Sequence, residues 1–355
     1  KDGGGGASPE NIVAFTFTDK AAAELKERIH TRCRERFGDV VGLANMYVGT
    51  IHGFCLDLLK TEVPAYMKYE VLNEVQQALF VDRHSKVSGL TQSTTLDGKP
   101  LKRYVDTRNY VSALSILRED RPVDPAKLAG NTVNAHRPDY EGLLHQKGYL
   151  DYSGILKEAV EELHRNAGLR ARLGKRIRHV IVDEYQDVNP VQEAVVEELH
   201  ALGAGICVVG DDDQTIYQWR GSDVRNILGF EKRYKDVAQV RLEENFRSSE
   251  GVVAVARDFI RQVVNRLPKE MKATHAQAYE QGDIVALGFD SPEQEARYIA
   301  ETCRALRGVA VRDDGAERGI SWSDMAILLR SVRRDGAPIM AALDLFGRRW
   351  ALRIL

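Results

Sequence analysis

HVIVDEYQD, residues 179–187, is a short apolar run that ends abruptly in two adjacent acids, Asp183 and Glu184. An unbroken β-branched run of this length suits a buried strand of a parallel sheet. In open parallel sheets, ligands bind beyond the carboxyl ends of the strands. Two carboxylates delivered to such an end supply what a metal-assisted nucleotide hydrolase needs. One holds Mg²⁺, usually through water, and its neighbour polarises the attacking water. Solvated acids closing a strand explain the pair equally well when it stands alone.

The residues that follow sharpen the choice. A helix is expected from Pro190 to His200, then a second apolar strand, ICVVGD, over Ile206–Asp211. It opens into the polar loop GDDDQTIYQWRG, Gly210–Gly221. The Gln214 amide can reach a terminal phosphate. Tyr217 and Trp219 stand beside Arg220, and aromatic faces with a guanidinium make a sequence-tolerant platform for unpaired bases. A loop whose Tyr and Trp pack inward is the alternative. Further on, strands are predicted at Gln239–Leu242, Ile284–Phe289 and Met325–Arg330, with helices from Ser248 to about Val264 and over Pro292–Leu306.

Upstream, IVAFTFT (Ile12–Thr18) reads as another buried strand. The helix that follows from Asp19 sets Ala22, Leu25, Ile29 and Cys33 on one face. VGTIHGFCLDLLK, Val48–Lys60, is a turn into an amphipathic helix. Between residues 61 and 176 the chain turns polar, with helical periodicity at Val71–Ser85 and Ile155–His164. Loop signals fall near Thr91–Pro100 and Arg121–Pro125. The fold class is therefore α/β, with a helical insertion between two stretches of one parallel sheet.

Composition bounds the function. The chain has 355 residues, 43% hydrophobic and 29% charged, with a net charge of −2. No apolar run is long enough to span a membrane and nothing at the N-terminus resembles a leader, so a cytoplasmic protein is expected. The near-neutral balance exerts no global pull on a polyanion, so a nucleic-acid partner needs a local track. Cys33, Cys55, Cys207 and Cys303 are scattered, without zinc-ligand spacing, and read as reduced thiols.

Taken together, the motifs resemble those of UvrD/Rep/PcrA-type superfamily 1A DNA helicases. DEYQD is similar to the family's motif II and GDDDQTIYQWRGS to its motif III. IVAFTFTDKAAAEL resembles motif Ia, VGTIHGFC motif Ib and LEENFRSSEGV motif IV, in family order. LDYSGIL, Leu150–Leu156, resembles the segment shortly before motif II. The resemblance implies RecA-like domains that use ATP and Mg²⁺. Residues 1–60 and 177–245 would form domain 1A, 61–176 the 1B insertion, and 246–355 part of domain 2A.

It also implies roles. Asp183 binds Mg²⁺, Glu184 is the catalytic base, Gln186 and Gln214 sense the γ-phosphate, Arg247 is an arginine finger and Phe246 stacks on adenine. Phe17, His52, Tyr217 and Trp219 line the path of single-stranded DNA. Outside the resemblance, Arg247 reads as well as a surface ion pair, His52 as a core histidine and Phe17 as ordinary core. Translocation from 3′ to 5′ on a single-stranded 3′ tail, and partners in repair or recombination, follow from the family alone.

Departures from the family pattern are specific. Asp19 stands where Asn is usual, Ile51 and Gly53 replace Phe and Ser, and Phe246 replaces Tyr. No G-x-x-x-x-G-K-[ST] phosphate loop and no motifs V and VI occur in the 355 residues. On sequence grounds the chain is expected to be an incomplete helicase, inactive by itself. A strand-binding module without hydrolysis, or a RecB/AddA-like helicase–nuclease subunit, would carry the same motifs.

Overall fold

The computed structural model describes residues 7–95, 97–121, 132–216, 221–274, 277–313 and 316–344. They group into two units, residues 1–243 with 257–270, and residues 244–256 with 271–355.

In the first unit the strands are β1 (Ile12–Phe15), β2 (Tyr47–Gly49), β3 (Glu70–Val71), β4 (Tyr149–Leu150), β5 (His179–Val182) and β6 (Gly205–Val208). Four of them form a sheet in the order β2-β1-β5-β6, every pairing parallel. β3 and β4 pair apart from it, also in parallel. This is the parallel sheet with flanking helices that the sequence implied. The carboxyl ends of β1, β2 and β5 lie side by side, because Phe15 is in register with both Gly49 and Val182. That register brings three separate motifs to one edge.

Helices α1 (Asp19–Phe37) and α2 (Ile51–Glu62) each start at a threonine cap. Thr18 accepts the Ala21 N–H and Thr50 the Gly53 N–H, both at 3.1 Å. Such caps satisfy amides that the first helical turn leaves unpaired. α2 buries Phe54, Cys55, Leu58 and Leu59 against the sheet. The next helices are α3 (Glu74–Arg83), α4 (Thr107–Arg118), α5 (Val133–Lys147), α6 (Tyr152–Arg165), α7 (Ala167–Arg176) and α8 (Pro190–Ala201). α3, α4 and α5 enclose their own core around Val81, Leu90, Leu114 and Tyr140. α6 belongs to the sheet's core, through Ile155, Leu156, Ala159 and Leu163.

The second unit holds β7 (Glu244–Asn245) parallel to β8 (Lys272–Ala273), and an antiparallel pair, β9 (Ala310–Asp313) with β10 (Ala316–Gly319). Helix α9 (Glu250–Ile260) follows β7. α10 (Pro292–Leu306) and α11 (Val332–Asp344) bury Ala296, Ala300, Ile339 and Leu343 between them.

Three expectations fail. Gln239–Leu242, Ile284–Phe289 and Met325–Arg330 are not strands. A strand needs a ladder partner as well as apolar side chains, and none of the described residues pairs with them. Val240, Leu242, Val285 and Leu328 are accordingly exposed. β5 is also less enclosed than its composition implied. Val180 and Val182 point into the core, whereas Ile181 on the other face is 37% exposed.

Candidate active site

The turn after β5 is built by hydrogen bonds that leave little freedom. The Asp183 N–H donates to the Phe15 carbonyl at 2.9 Å, continuing the ladder by one residue. Glu184 then takes φ +51°, ψ +43°, a left-handed conformation that is uncommon away from glycine. Its N–H donates to Asp183 Oδ1 at 3.1 Å, and the Tyr185 N–H donates to the Val209 carbonyl at 3.0 Å. A backbone held in so unfavoured a region needs surroundings that enforce it, and such residues gather at functional sites.

Gln186 does much of the enforcing. It is 1% exposed. Its Nε2 donates to Glu184 Oε2 at 2.7 Å and its Oε1 accepts the Asp211 N–H at 3.0 Å. Gly210 makes room for this bridge, since a Cβ there would lie 2.7 Å from Gln186 Oε1. Tyr185 points the other way, into the core, and donates to Glu193 at 2.5 Å. Tyr234 and Arg233 converge on the same carboxylate. Asp187 is buried beside the Ser222 hydroxyl. Burial, with the charge of Glu184, pushes its carboxyl up to about 6.

The loop after β6 is organised by its own acids. Asp211 accepts the Asp213 N–H at 3.1 Å and the Gln214 side-chain amide at 2.9 Å. Lys269 bonds both Asp211 and Asp212, and Arg266 forks onto Asp213 at 2.9 and 2.6 Å. Burial works to raise the Asp211 carboxyl, but Lys269 and Gln214 outweigh it and hold the group below its ordinary value. Gln214 itself is exposed. Arg266 and Lys269 were not singled out by sequence reasoning. Their partners lie more than fifty residues upstream, and no local pattern announces such a pairing.

A cleft of about 210 Å³ opens where the strand ends meet the helix starts, lined among others by Phe17, His52, Tyr152, Asp183, Glu184 and Gln192. Phe17 follows β1, His52 is in the first turn of α2, and Tyr152 opens α6. The structure therefore brings four of the candidate residues, Phe17, His52, Asp183 and Glu184, to one opening. It adds two that were missed. Tyr152, from LDYSGIL, is 51% exposed and meets the His52 ring edge-on at 6.1 Å between centroids. Gln192 Nε2 lies 3.5 Å from His52 Nδ1. An amide NH₂ can only donate, so this contact suits a His52 whose Nδ1 is unprotonated. Burial lowers the His52 pKa, in agreement. Tyr217 and Trp219 lie outside the described residues.

Gly53, one of the departures, has a local cause. A Cβ there would lie 2.9 Å from Tyr47 Oη, which donates to the Thr50 carbonyl at 2.9 Å. Asp19 is exposed in the first turn of α1, where the helix dipole favours an acid.

In the second unit, Asn245 Oδ1 accepts the N–H groups of Arg247 and Ser248 at 3.0 and 2.8 Å. This turn projects Phe246, 64% exposed, and Arg247 into solvent. Among the described residues no three His, Cys, Asp or Glu gather as a metal cage. A hard cation held by one or two carboxylates, with water and ligand phosphates completing its shell, needs none. The acids at the end of β5 suit that kind of site. No helix of the described residues is long and apolar enough to cross a membrane.

Residues 3–235 match the UvrD/REP helicase N-terminal domain, and residues 240–344 the UvrD-like helicase C-terminal domain. The chain is 28% identical over 333 residues to ATP-dependent DNA helicase PcrA of Bacillus subtilis, covering 91% of this chain and 41% of that protein. It is 33% identical over 349 residues to ATP-dependent DNA helicase UvrD1 of Mycobacterium tuberculosis, covering 92% and 41%. DNA helicase II of Rickettsia typhi is 31% identical over 339 residues, covering 92% and 47%. The chain thus spans under half the length of the curated relatives it matches.

Proposed function

The chain belongs to the UvrD/Rep helicase family, and we propose that it carries part of the nucleotide site and the single-strand track of an ATP-dependent DNA helicase. The observation that supports this best is the shared cleft. The acids of β5 open beside Phe17 and His52, so nucleotide chemistry and strand contact have one floor. In this reading residues 1–60 and 177–245 are domain 1A, 61–176 the 1B insertion, and 246–355 part of domain 2A. The enzyme works in the cytoplasm, moves 3′ to 5′ on a single-stranded tail, and serves repair or recombination.

Asp183 would hold Mg²⁺, which neutralises charge on the phosphates when bound. Glu184 takes a proton from the attacking water, its carboxylate aimed by the Gln186 amide. Gln186 and Gln214 report the γ-phosphate to their loops. Arg247 supplies positive charge to the transferring phosphoryl group, and Phe246 stacks on adenine. Phe17, His52, Tyr217 and Trp219 contact unpaired bases.

Two measurements test the reading. DNA-stimulated ATP hydrolysis by the full-length gene product should fall at least about 100-fold in Glu184→Gln, the scale of a lost general base, with strand binding retained. Hydrolysis at the wild-type rate in that variant would remove Glu184 from the chemistry. The chain itself should bind a fluorescein-labelled oligothymidylate, and His52→Ala should weaken that binding. Equal affinity of the two would take the cleft off the strand path.

A further inference from the structure

The segment that leaves α4 reaches back to the cleft at several points. Glu119 is 5% exposed. One carboxylate oxygen accepts Ser153 Oγ at 2.6 Å. The other accepts Asn189 Nδ2 at 3.0 Å and the Arg121 guanidinium at 2.8 and 2.6 Å. A carboxylate persists in a buried place only when donors surround it. Here they come from three elements: its own loop, the first turn of α6 beside Tyr152, and the residue that caps α8.

Asn189 passes the constraint onward. Its Oδ1 accepts the Gln192 N–H at 2.8 Å and its own N–H donates to Gln192 Oε1 at 2.9 Å, a closed capping box. With Oε1 occupied, the Gln192 NH₂ is left facing His52 Nδ1. A continuous hydrogen-bonded line therefore runs from Glu119 through Asn189 and Gln192 to the imidazole. Arg121 runs the other way. A Cβ on Gly221 would lie 2.4 Å from Arg121 Cδ, and Gly221 has φ +98°. That turn closes GDDDQTIYQWRG, so the insertion packs against it as well.

We propose that Glu119 and Arg121, inside the helical insertion, are positioning residues for the strand-binding cleft. Glu119 sets the orientation of His52 through Asn189 and Gln192, and Arg121 holds the Glu119 carboxylate in place. This rests on the cleft being the strand path. The insertion then has a role beyond its own core: its loop fixes the His52 wall of the cleft. Electrostatics gives a separate readout. Apart from burial, the charges acting on His52 are Glu119, which raises its pKa, and Arg121, which lowers it. Gln192 and Tyr152, packed on the same ring from α8 and α6, carry no charge at neutral pH.

The test uses the chain with oligothymidylate anisotropy, thermal melting and NMR titration of the His52 imidazole, on Glu119→Gln, Arg121→Gln and His52→Ala. Both loop variants should melt cooperatively and lose about tenfold in strand affinity, the scale of one lost base contact. The His52 titration should move down in Glu119→Gln and up in Arg121→Gln. Wild-type affinity in the folded loop variants, with His52→Ala weakened, overturns the proposal alone. If His52→Ala binds normally, the strand path itself is wrong, and the titration then decides positioning. A His52 midpoint unmoved by either variant overturns it.

Discussion

Gln186 accepts the backbone N–H of Asp211 at 3.0 Å, joining the turn after β5 to the loop after β6 across twenty-five residues of chain. The same side chain donates to Glu184. One amide thus decides both where the second strand-end acid points and where the next loop starts. Gln186→Ala leaves a part-buried amide and a carboxylate oxygen without these partners. The expected cost is about 1–3 kcal/mol, read from urea unfolding of the chain. Hydrolysis by the full-length gene product should fall with it. An unfolding midpoint equal to wild type would show that the bridge is dispensable.

Asp187 makes a prediction with a sign. Its folded-state carboxyl is raised from 3.8 to about 6, so between those values the folded chain binds more protons than the unfolded one. Stability attributable to this group therefore falls as pH rises through the window. Asp187→Asn, which stays neutral, should gain melting temperature over wild type at mildly alkaline pH. It should gain little near the ordinary carboxylate value. A gain of equal size at both pH values would exclude Asp187 as its source.

Asp151 caps α6 inside LDYSGIL, and its environment argues for a structural task. Arg118 grips it at 2.6 and 2.5 Å, Tyr140 and Gln77 donate to it at 2.7 and 2.8 Å, and it caps the Gly154 N–H at 2.7 Å. Asp151→Ala leaves the buried Arg118 guanidinium with Glu141 alone, at 3.1 Å, at an expected cost of about 3 kcal/mol, the low end for a broken buried pair. Adding Arg118→Met should recover part of that loss, since the under-paired charge goes with it. A double variant no more stable than Asp151→Ala would mean that the ion pair is not the source of the cost.

How much of this was legible follows from how local each signal is. β5 and its acids were readable because a β-branched run, a strand end and two carboxylates are contiguous. The caps Thr18 and Thr50 precede their helices directly. β2 has three residues, and within VGT it looked like a turn. The strands expected at Ile284–Phe289 and Met325–Arg330 show the converse. Their composition is right, but pairing is a property of two segments and composition describes only one. Glu119 lies in an unremarkable run of charges, and its partners Ser153 and Asn189 are 34 and 70 residues away. Nothing short of the folded register could have joined them.

The clamp on the loop after β6 gives the last prediction. Lys269 bonds Asp211 and Asp212 and lies 3.4 Å from Asp213, while Arg266 holds Asp213. Without Lys269, three adjacent carboxylates would face one another with a single cation. Lys269→Ala should destabilise the chain by about 2 kcal/mol, between the values for exposed and buried pairs. The pH dependence follows from the sign of the shift at Asp211. Its folded pKa is depressed, so its contribution is present above the ordinary carboxylate value and lost as pH falls through the folded one. The variant lacks that contribution. Its deficit should thus be largest at neutral pH and close as the carboxylates protonate, and salt should narrow it through screening. Because Asp211 also receives the Gln214 amide, hydrolysis by the full-length gene product should fall too. Neutral-pH stability equal to wild type, or a deficit that grows in acid, would mean that Lys269 does not hold this loop.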